Sequence, residues 1–198
     1  MPRQADHDLR RRQIAQAVWR LAARGGLEDV TLRNVAAEAG VSVRLLQYYF
    51  GTRSRLLLGA LEILNADAER HAKERLERLG PDPGVRAAVR MVLLELLPLD
   101  EERRNRHLVY VAYFVRFLTD PALAEAVRDT PHALEELVAG LLAQGQATGL
   151  VPPDVATGPE GAFLVAAAGG LQAGMLLGQY TAEQVVSLID HQLGRLFG

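Results

Sequence analysis

The chain has 198 residues, 49% of them apolar and 23% charged, enough apolar mass for one sizeable core or two small ones. It has no cysteine, which excludes a disulfide framework, a thiolate metal site and a cysteine nucleophile and suits a reducing, cytoplasmic setting; the charged opening Met1-Pro-Arg-Gln-Ala-Asp-His-Asp8 has no apolar stretch behind it to act as a secretory signal. The net charge of −2 conceals an asymmetry, for residues 1–55 hold ten arginines against five acidic side chains (+5) and the remainder carries −7: a basic head on an acidic body, as expected where one end neutralises DNA phosphates, unless the arginines merely solvate a face.

Apolar residues recur at spacings of three and four from Ile14 to Leu196 and no segment alternates with period two, so the fold class is all-α. Breaks at Gly25-Gly26, Gly40, Gly51-Thr52, Gly80-Pro-Asp-Pro-Gly84, Pro98-Leu-Asp100, Thr119-Asp-Pro121, Thr130-Pro131, Gly149 to Pro159 and Tyr180-Thr181 predict about nine or ten helices. Asp120 and Thr130 each precede a proline as an N-cap would, and Thr181 with Gln184 reads as a capping box.

Leu9 to Arg24 predicts a short amphipathic helix with Ile14, Ala17, Val18, Leu21 and Ala22 on one stripe and Trp19 beside it. Thr31 can cap a second helix with Leu32, Val35, Ala36 and Ala39 inward, and Gly40 can end it in the left-handed conformation. Val41 can plug the turn that follows. Ser42 can then cap a third helix whose Leu46 and Phe50 return to the same core. The result is helix, tight turn, helix, a geometry in which the second helix of the pair enters the major groove. A long helix follows from Thr52 to about Leu79. Its charged second half, Glu69 to Arg78, has no proline or glycine cluster to loosen it, which predicts a stiff link to the body.

The run Thr31-Leu-Arg-Asn-Val-Ala-Ala-Glu-Ala-Gly-Val-Ser42, followed by Tyr48-Tyr-Phe50, Arg53 and Leu56-Leu57, resembles the DNA-binding domain of the TetR (tetracycline repressor) family. The resemblance covers roughly residues 9–57. It implies a three-helix DNA-binding domain over 1–57 and a helical effector-binding and dimerisation domain over 58–198. It also implies that Arg33, Val43, Arg44, Leu45, Gln47 and Tyr48 face DNA, while Thr31, Ser42, Tyr49 and Arg53 match positions that hold phosphates or cap helices. The family more often has a small residue at position 44, tyrosine at 47 and lysine at 53, so the operator sequence does not carry over. The residues themselves agree: Arg44 and Gln47 lie three apart on one helical face and are the types that read G and A edges, although phosphate contact would suit both. Tyr48 and Tyr49 could instead pack a small core.

In the body, Gly161 to Gly178 has Gln172 as its one polar side chain. It is formally long enough to span a membrane, but it is rich in alanine and glycine, lacks basic or aromatic anchors and would split the acidic body. No membrane role is read from it. Small residues every fourth position, among them Ala166, Gly170, Gly174 and Gly178, leave one ridge nearly bare for a close helix crossing. The last helix is apolar over a wide stripe that includes Val185, Ile189, Leu193 and Leu196. In the TetR family the last two helices pair with those of a second subunit, so the resemblance implies a homodimer reading palindromic operator DNA. The alternative is that this pair completes the core of one chain.

Tyr110, Tyr113, Phe114 and Phe117 follow helical spacing, and with Met91, Phe163, Gln172 and Met175 they are candidates for an effector pocket, which family members commonly place in this part of the fold; aromatic stripes of this kind also build plain core. The stretch from Leu108 through Asp120-Pro121 to Ala126 and on to the terminal helices is similar to the branch of the family that includes the choline-responsive betaine regulators, which does not itself name choline as the effector. His71, His107, His132 and His191 fall in no Glu-x-x-His or His-x-x-x-His pattern, and no phosphate-binding glycine motif is present, so neither an enzyme nor a metal or cofactor site is expected. The expected function is a DNA-binding repressor released by an unidentified small molecule. The alternative is an effector-independent regulator of the same fold acting through a protein partner.

Overall fold

The computed structural model describes residues 2–78, 80 and 83–198, with the side chains of 2–5 and 130 outside the described set. Among the described residues there are ten α-helices and no strand: α1 (Pro2–Gly25), α2 (Leu32–Ala39), α3 (Val43–Phe50), α4 (Arg53–Glu77), α5 (Val85–Glu95), α6 (Glu101–Thr119), α7 (Pro121–Glu125), α8 (Thr130–Ala147), α9 (Thr157–Leu176) and α10 (Ala182–Phe197). The predicted end of the long helix at Leu79, and Pro81-Asp82 within the predicted break from Gly80 to Gly84, lie outside the described residues.

Two packed units result, and chain order does not separate them. The first gathers residues 1–69 with 105–127, and the second gathers 70–104 with 128–198. In the first, the predicted stripe of α1 is buried as expected, with Ile14, Ala17 and Val18 fully covered among Val35, Ala36, Leu46, Phe50, Leu57 and Leu61. Full burial of each Leu, Ile or Phe contributes roughly 1.5–3 kcal/mol, so the short helices α2 and α3, too short to persist alone, are held by these anchors. The second half of α6 completes this core: Tyr113 is fully buried and its hydroxyl donates to Leu57 O at 3.0 Å, while Tyr110 donates to Asn65 Oδ1 at 2.5 Å. Burial pushes both phenols above the ordinary tyrosine range, so they stay neutral donors.

In the second unit, Val89, Leu93, Val138, Leu142, Leu164, Val185 and Leu193 form the centre of a core built by α5, α8, α9 and α10. Gly161 lets α9 lie against the backbone of α8, since a Cβ there would stand 2.9 Å from Glu135 O and 3.0 Å from Ala139 N. This close crossing lies inside the chain and off the expected ridge, where a Cβ at Gly170 would meet nothing within 4 Å. Arg90 grips Asp190 with two bonds, Nε to Oδ1 at 2.5 Å and Nη2 to Oδ2 at 3.0 Å, and so ties α5 to α10. Arg75 and Arg103 converge on the largely buried Glu95, and Arg103 Nε also donates to Asp100 Oδ2 at 2.9 Å.

Of the three caps predicted after α6, two form. Asp120 accepts from Ala122 N at 3.2 Å ahead of Pro121, and the Thr181–Gln184 box closes with both of its bonds, 3.2 and 2.8 Å. Thr130 is instead the first residue of α8, with Asp129 in the cap position; the Thr130 side chain lies outside the described residues. Gly178 falls in the turn after α9 with φ +73°, so two rather than three of the expected ridge glycines are helical. No helix among the described residues is long and apolar enough to cross a membrane.

Candidate nucleic-acid interface

The helix-turn-helix is assembled by local bonds that the sequence already contains. Thr31 accepts from Asn34 N at 3.1 Å and opens α2. Gly40, at φ 66° and ψ 34°, ends α2 in the left-handed region that side chains with a Cβ rarely enter. Val41 N then donates back to Ala36 O at 2.9 Å, the reversal that aims α3, and Ser42 opens α3 by accepting from Leu45 N at 3.1 Å.

Long-range bonds lock this pair from behind. Gln13 Nε2 donates to Ala39 O at 2.8 Å, and Trp19 Nε1 to Ala60 O at 3.0 Å. Arg20 and Arg24 donate to the two oxygens of Glu38 at 2.6 and 2.7 Å, and those hydrogen bonds hold the Glu38 carboxyl below its ordinary range. Arg53 Nε donates to Val30 O at 2.6 Å and its Nη2 donates to Leu27 O, which pins the start of α4 to the loop before α2.

With Leu46 and Phe50 buried, α3 presents Val43, Arg44, Gln47 and Tyr48 to solvent, and Arg33 is exposed on α2. Tyr48 is 76% exposed, too open to be a packing residue. Leu45, Tyr49 and Arg53 are half-buried; Thr31 and Ser42 are exposed with their hydroxyls in use as caps. Tyr49 packs edge-on against Tyr48, with ring centroids 5.3 Å apart, and touches His7 at 4.7 Å. His7 was not among the expected residues; neither were Arg11 and Arg55, which with Gln47, Tyr48 and Tyr49 line a hollow of about 350 Å³ at the end of α3. Arg11 lies over the Phe50 ring at 4.9 Å. Its place in the arginine cluster at 10–12 was the one sequence signal, since nothing local shows which of three consecutive arginines faces this hollow.

The residues expected in an effector pocket divide between the units. Tyr110, Tyr113, Phe114 and Phe117 belong to the first, where Tyr113 and Phe117 are ring neighbours at 5.9 Å and Phe114 is exposed. Met91 and Met175 pack on the core of the second, Gln172 is half-buried and Phe163 is exposed. Phe163 lines a groove of about 390 Å³ between α9 and α10, together with Ala167, Gly170, Tyr180, Leu188 and Gln192. Of the residues expected at a dimer interface, Ala166, Gly170 and Gly178 are exposed, whereas Val185, Ile189, Leu193 and Leu196 are buried in the chain's own core. That stripe is turned inward, where α10 packs on α5 and α9. Gly174 is buried as well, and a Cβ there would meet the Tyr180 ring at 2.6 Å.

A capped, three-residue-turn helix pair with a polar outer face on its second helix defines a helix-turn-helix DNA-binding regulator. Residues 14–60 match the family model described as bacterial regulatory proteins, tetR family, and residues 85–198 match the one described as BetI-type transcriptional repressor, C-terminal. The chain belongs to the TetR family of transcriptional regulators, with a BetI-type C-terminal part, and that family is not one of enzymes. It is 36% identical over 113 residues to the HTH-type transcriptional regulator PksA of Bacillus subtilis, a match covering 57% of this chain and 54% of PksA. The chain spans about half the length of the curated relatives it matches. The fold is similar throughout to a transcriptional regulator from Rhodococcus sp. Rha1 (30% identity, TM-score 0.78, covering 94% of this chain and 95% of that one). It is also similar to a regulator from Saccharomonospora viridis solved in complex with choline (22% identity, TM-score 0.78, 93% of each chain).

Proposed function

We propose that this protein is a dimeric repressor that grips palindromic operator DNA with α3 and is released by a small molecule. The observation that carries the DNA reading is the outer face of α3, where Val43, Arg44, Gln47 and Tyr48 stand exposed on a helix fixed from behind by Leu46, Phe50 and the Arg53 clamp. Arg44 and Gln47 supply bidentate readers of guanine and adenine, Val43 an apolar contact, and Arg33, Tyr48 and Tyr49 contacts to the backbone. Thr31 and Ser42 act as caps whose helix N-termini favour phosphate. The protein acts where the chromosome lies, in the cytoplasm.

Dimerisation is supported by the groove between α9 and α10, where exposed Phe163, Tyr180 and Leu188 lie with Gly170, whose missing side chain leaves open space. Two heads held together would place recognition helices about 34–36 Å apart, one turn of DNA. An effector is supported by family membership and by the choline complex of the Saccharomonospora protein. A quaternary ammonium needs aromatic faces; among the expected pocket residues, Tyr110 and Phe117 are half-buried and Phe114 exposed in the first unit, and Phe163 is exposed in the second.

The test is an anisotropy titration of the full chain against a labelled fragment of the promoter region beside its own gene, at several salt concentrations and with unrelated competitor DNA. Competitor-resistant binding with a steep salt slope is expected. Binding no better than to competitor would reduce the head to a helix-turn-helix in shape alone. Adding choline, then other small cations, should weaken the specific complex; an operator affinity indifferent to every ligand that the protein binds would favour regulation through a protein partner.

A further inference from the structure

The head carries an apolar ridge on α6, apart from the exposed face of α3. On α6, Val111, Phe114, Val115 and Leu118 are 55%, 60%, 65% and 72% exposed, and their 3–1–3 spacing puts all four on one side of the helix, opposite Tyr113 and Val109, which are buried. All four belong to the unit that holds α1, α2 and α3. Large apolar side chains exposed singly are ordinary, but four in register mark a contact surface.

We propose that this ridge meets the same ridge of a second copy of the chain, so that the two DNA-binding units of the dimer touch each other through α6. The proposal rests on the dimer reading above. The spacing is symmetric about the midpoint between Phe114 and Val115: a second helix laid antiparallel across a two-fold axis there sets Val111 of each copy opposite Leu118 of the other, the self-complementary pattern that an isologous contact requires. Charge allows it. Arg116, the one charged residue between Val111 and Leu118, is held by Asp120 at 2.8 Å, so pairing two copies sets no bare like charges together. Size selects the occupant. Four such side chains amount to a patch of a few hundred Å², against about 800 Å² per partner for an interface that stands alone. The ridge is therefore too small to recruit a foreign partner and of the right size for a contact between heads that the α9–α10 faces already keep at high effective concentration. Such a contact sets the spacing of the two recognition helices, and whether it is made or broken decides how well the pair fits a palindrome.

Because the chain has no cysteine, Val115→Cys in the full-length protein is a background-free reporter. Oxidised with diamide while light scattering records the mass, it should give a covalent dimer, and Leu9→Cys, exposed on α1 rather than on α6, should not. The double variant Phe114→Glu with Leu118→Glu, both exposed and so compatible with folding, should leave the dimer mass intact and change operator affinity on the order of tenfold. A protein that is dimeric by scattering yet fails to cross-link at position 115, or cross-links equally at position 9, would overturn the ridge contact and leave the dimer standing. A monomer that does not cross-link would overturn both.

Discussion

Arg44 and Arg53 show how differently one residue type is used a few positions apart. Arg44 is exposed on the outer face of α3, whereas the Arg53 guanidinium is committed to Val30 O and Leu27 O. Arg44→Ala should weaken operator binding by about 1–3 kcal/mol and relax base preference at one position; an unchanged preference in site selection would make it a phosphate contact. Arg53→Ala should cost the folded head about 1.5–3 kcal/mol, the range for hydrogen bonds to a charged group, read as a lower urea midpoint in the absence of DNA. The arginine surplus in the sequence located the DNA-binding end, yet it overstated the charge on offer. Arg12 is paired with Asp67 at 2.8 Å, an acid outside the first 55 residues, and Arg20 and Arg24 share the one carboxylate of Glu38, partners 14 to 55 positions away that no local pattern announces.

At the level of elements, the boundaries that were legible are those with their own chemistry. Thr31, Gly40, Ser42 and Thr181 do locally what their side chains or backbones demand. Gly40→Ala should destabilise the head by about 1–2 kcal/mol through its left-handed conformation alone, since a Cβ there meets nothing within 4 Å; thermal denaturation measures it. Thr130 misled because a threonine before proline suits a cap one residue further along than the helix begins. The stripes of α6 and α10 were readable as helical, but period alone does not say which neighbour a stripe faces. Val185, Ile189, Leu193 and Leu196 look inward, where α10 packs on α5 and α9, while the groove open to solvent is lined by Phe163, Gly170 and Leu188. Gly170→Glu is accordingly a cleaner probe of the dimer than any change at Gly174, where Tyr180 would be displaced. It should shift the mass toward monomer in light scattering, and an unchanged dimer would move the interface elsewhere.

For the whole molecule, acid should loosen both units. Glu38 in the first and Asp100 and Asp190 in the second have carboxyl pKa values depressed on folding, Glu38 and Asp190 by arginine hydrogen bonds and Asp100 by bonds from Arg103 against the opposing effect of burial. A depressed folded value means stability that is present above the ordinary range, near 4.5 for Glu and 3.8 for Asp, and that is lost as pH falls through the lower folded values. Denaturation midpoints should be flat across neutral pH and fall below about pH 4.5. By itself the sequence determined the all-helical class, the head's helix-turn-helix and the family, because capping, the turn at Gly40 and 3.6-residue periodicity act over a few residues. The tertiary structure decided that the second half of α6 completes the head, that the α10 stripe closes the chain's own core and that Tyr113 and Phe117 are packing residues there. Those outcomes depend on which distant apolar faces cover each other, and burial favours any sufficiently apolar partner without encoding which one it will be.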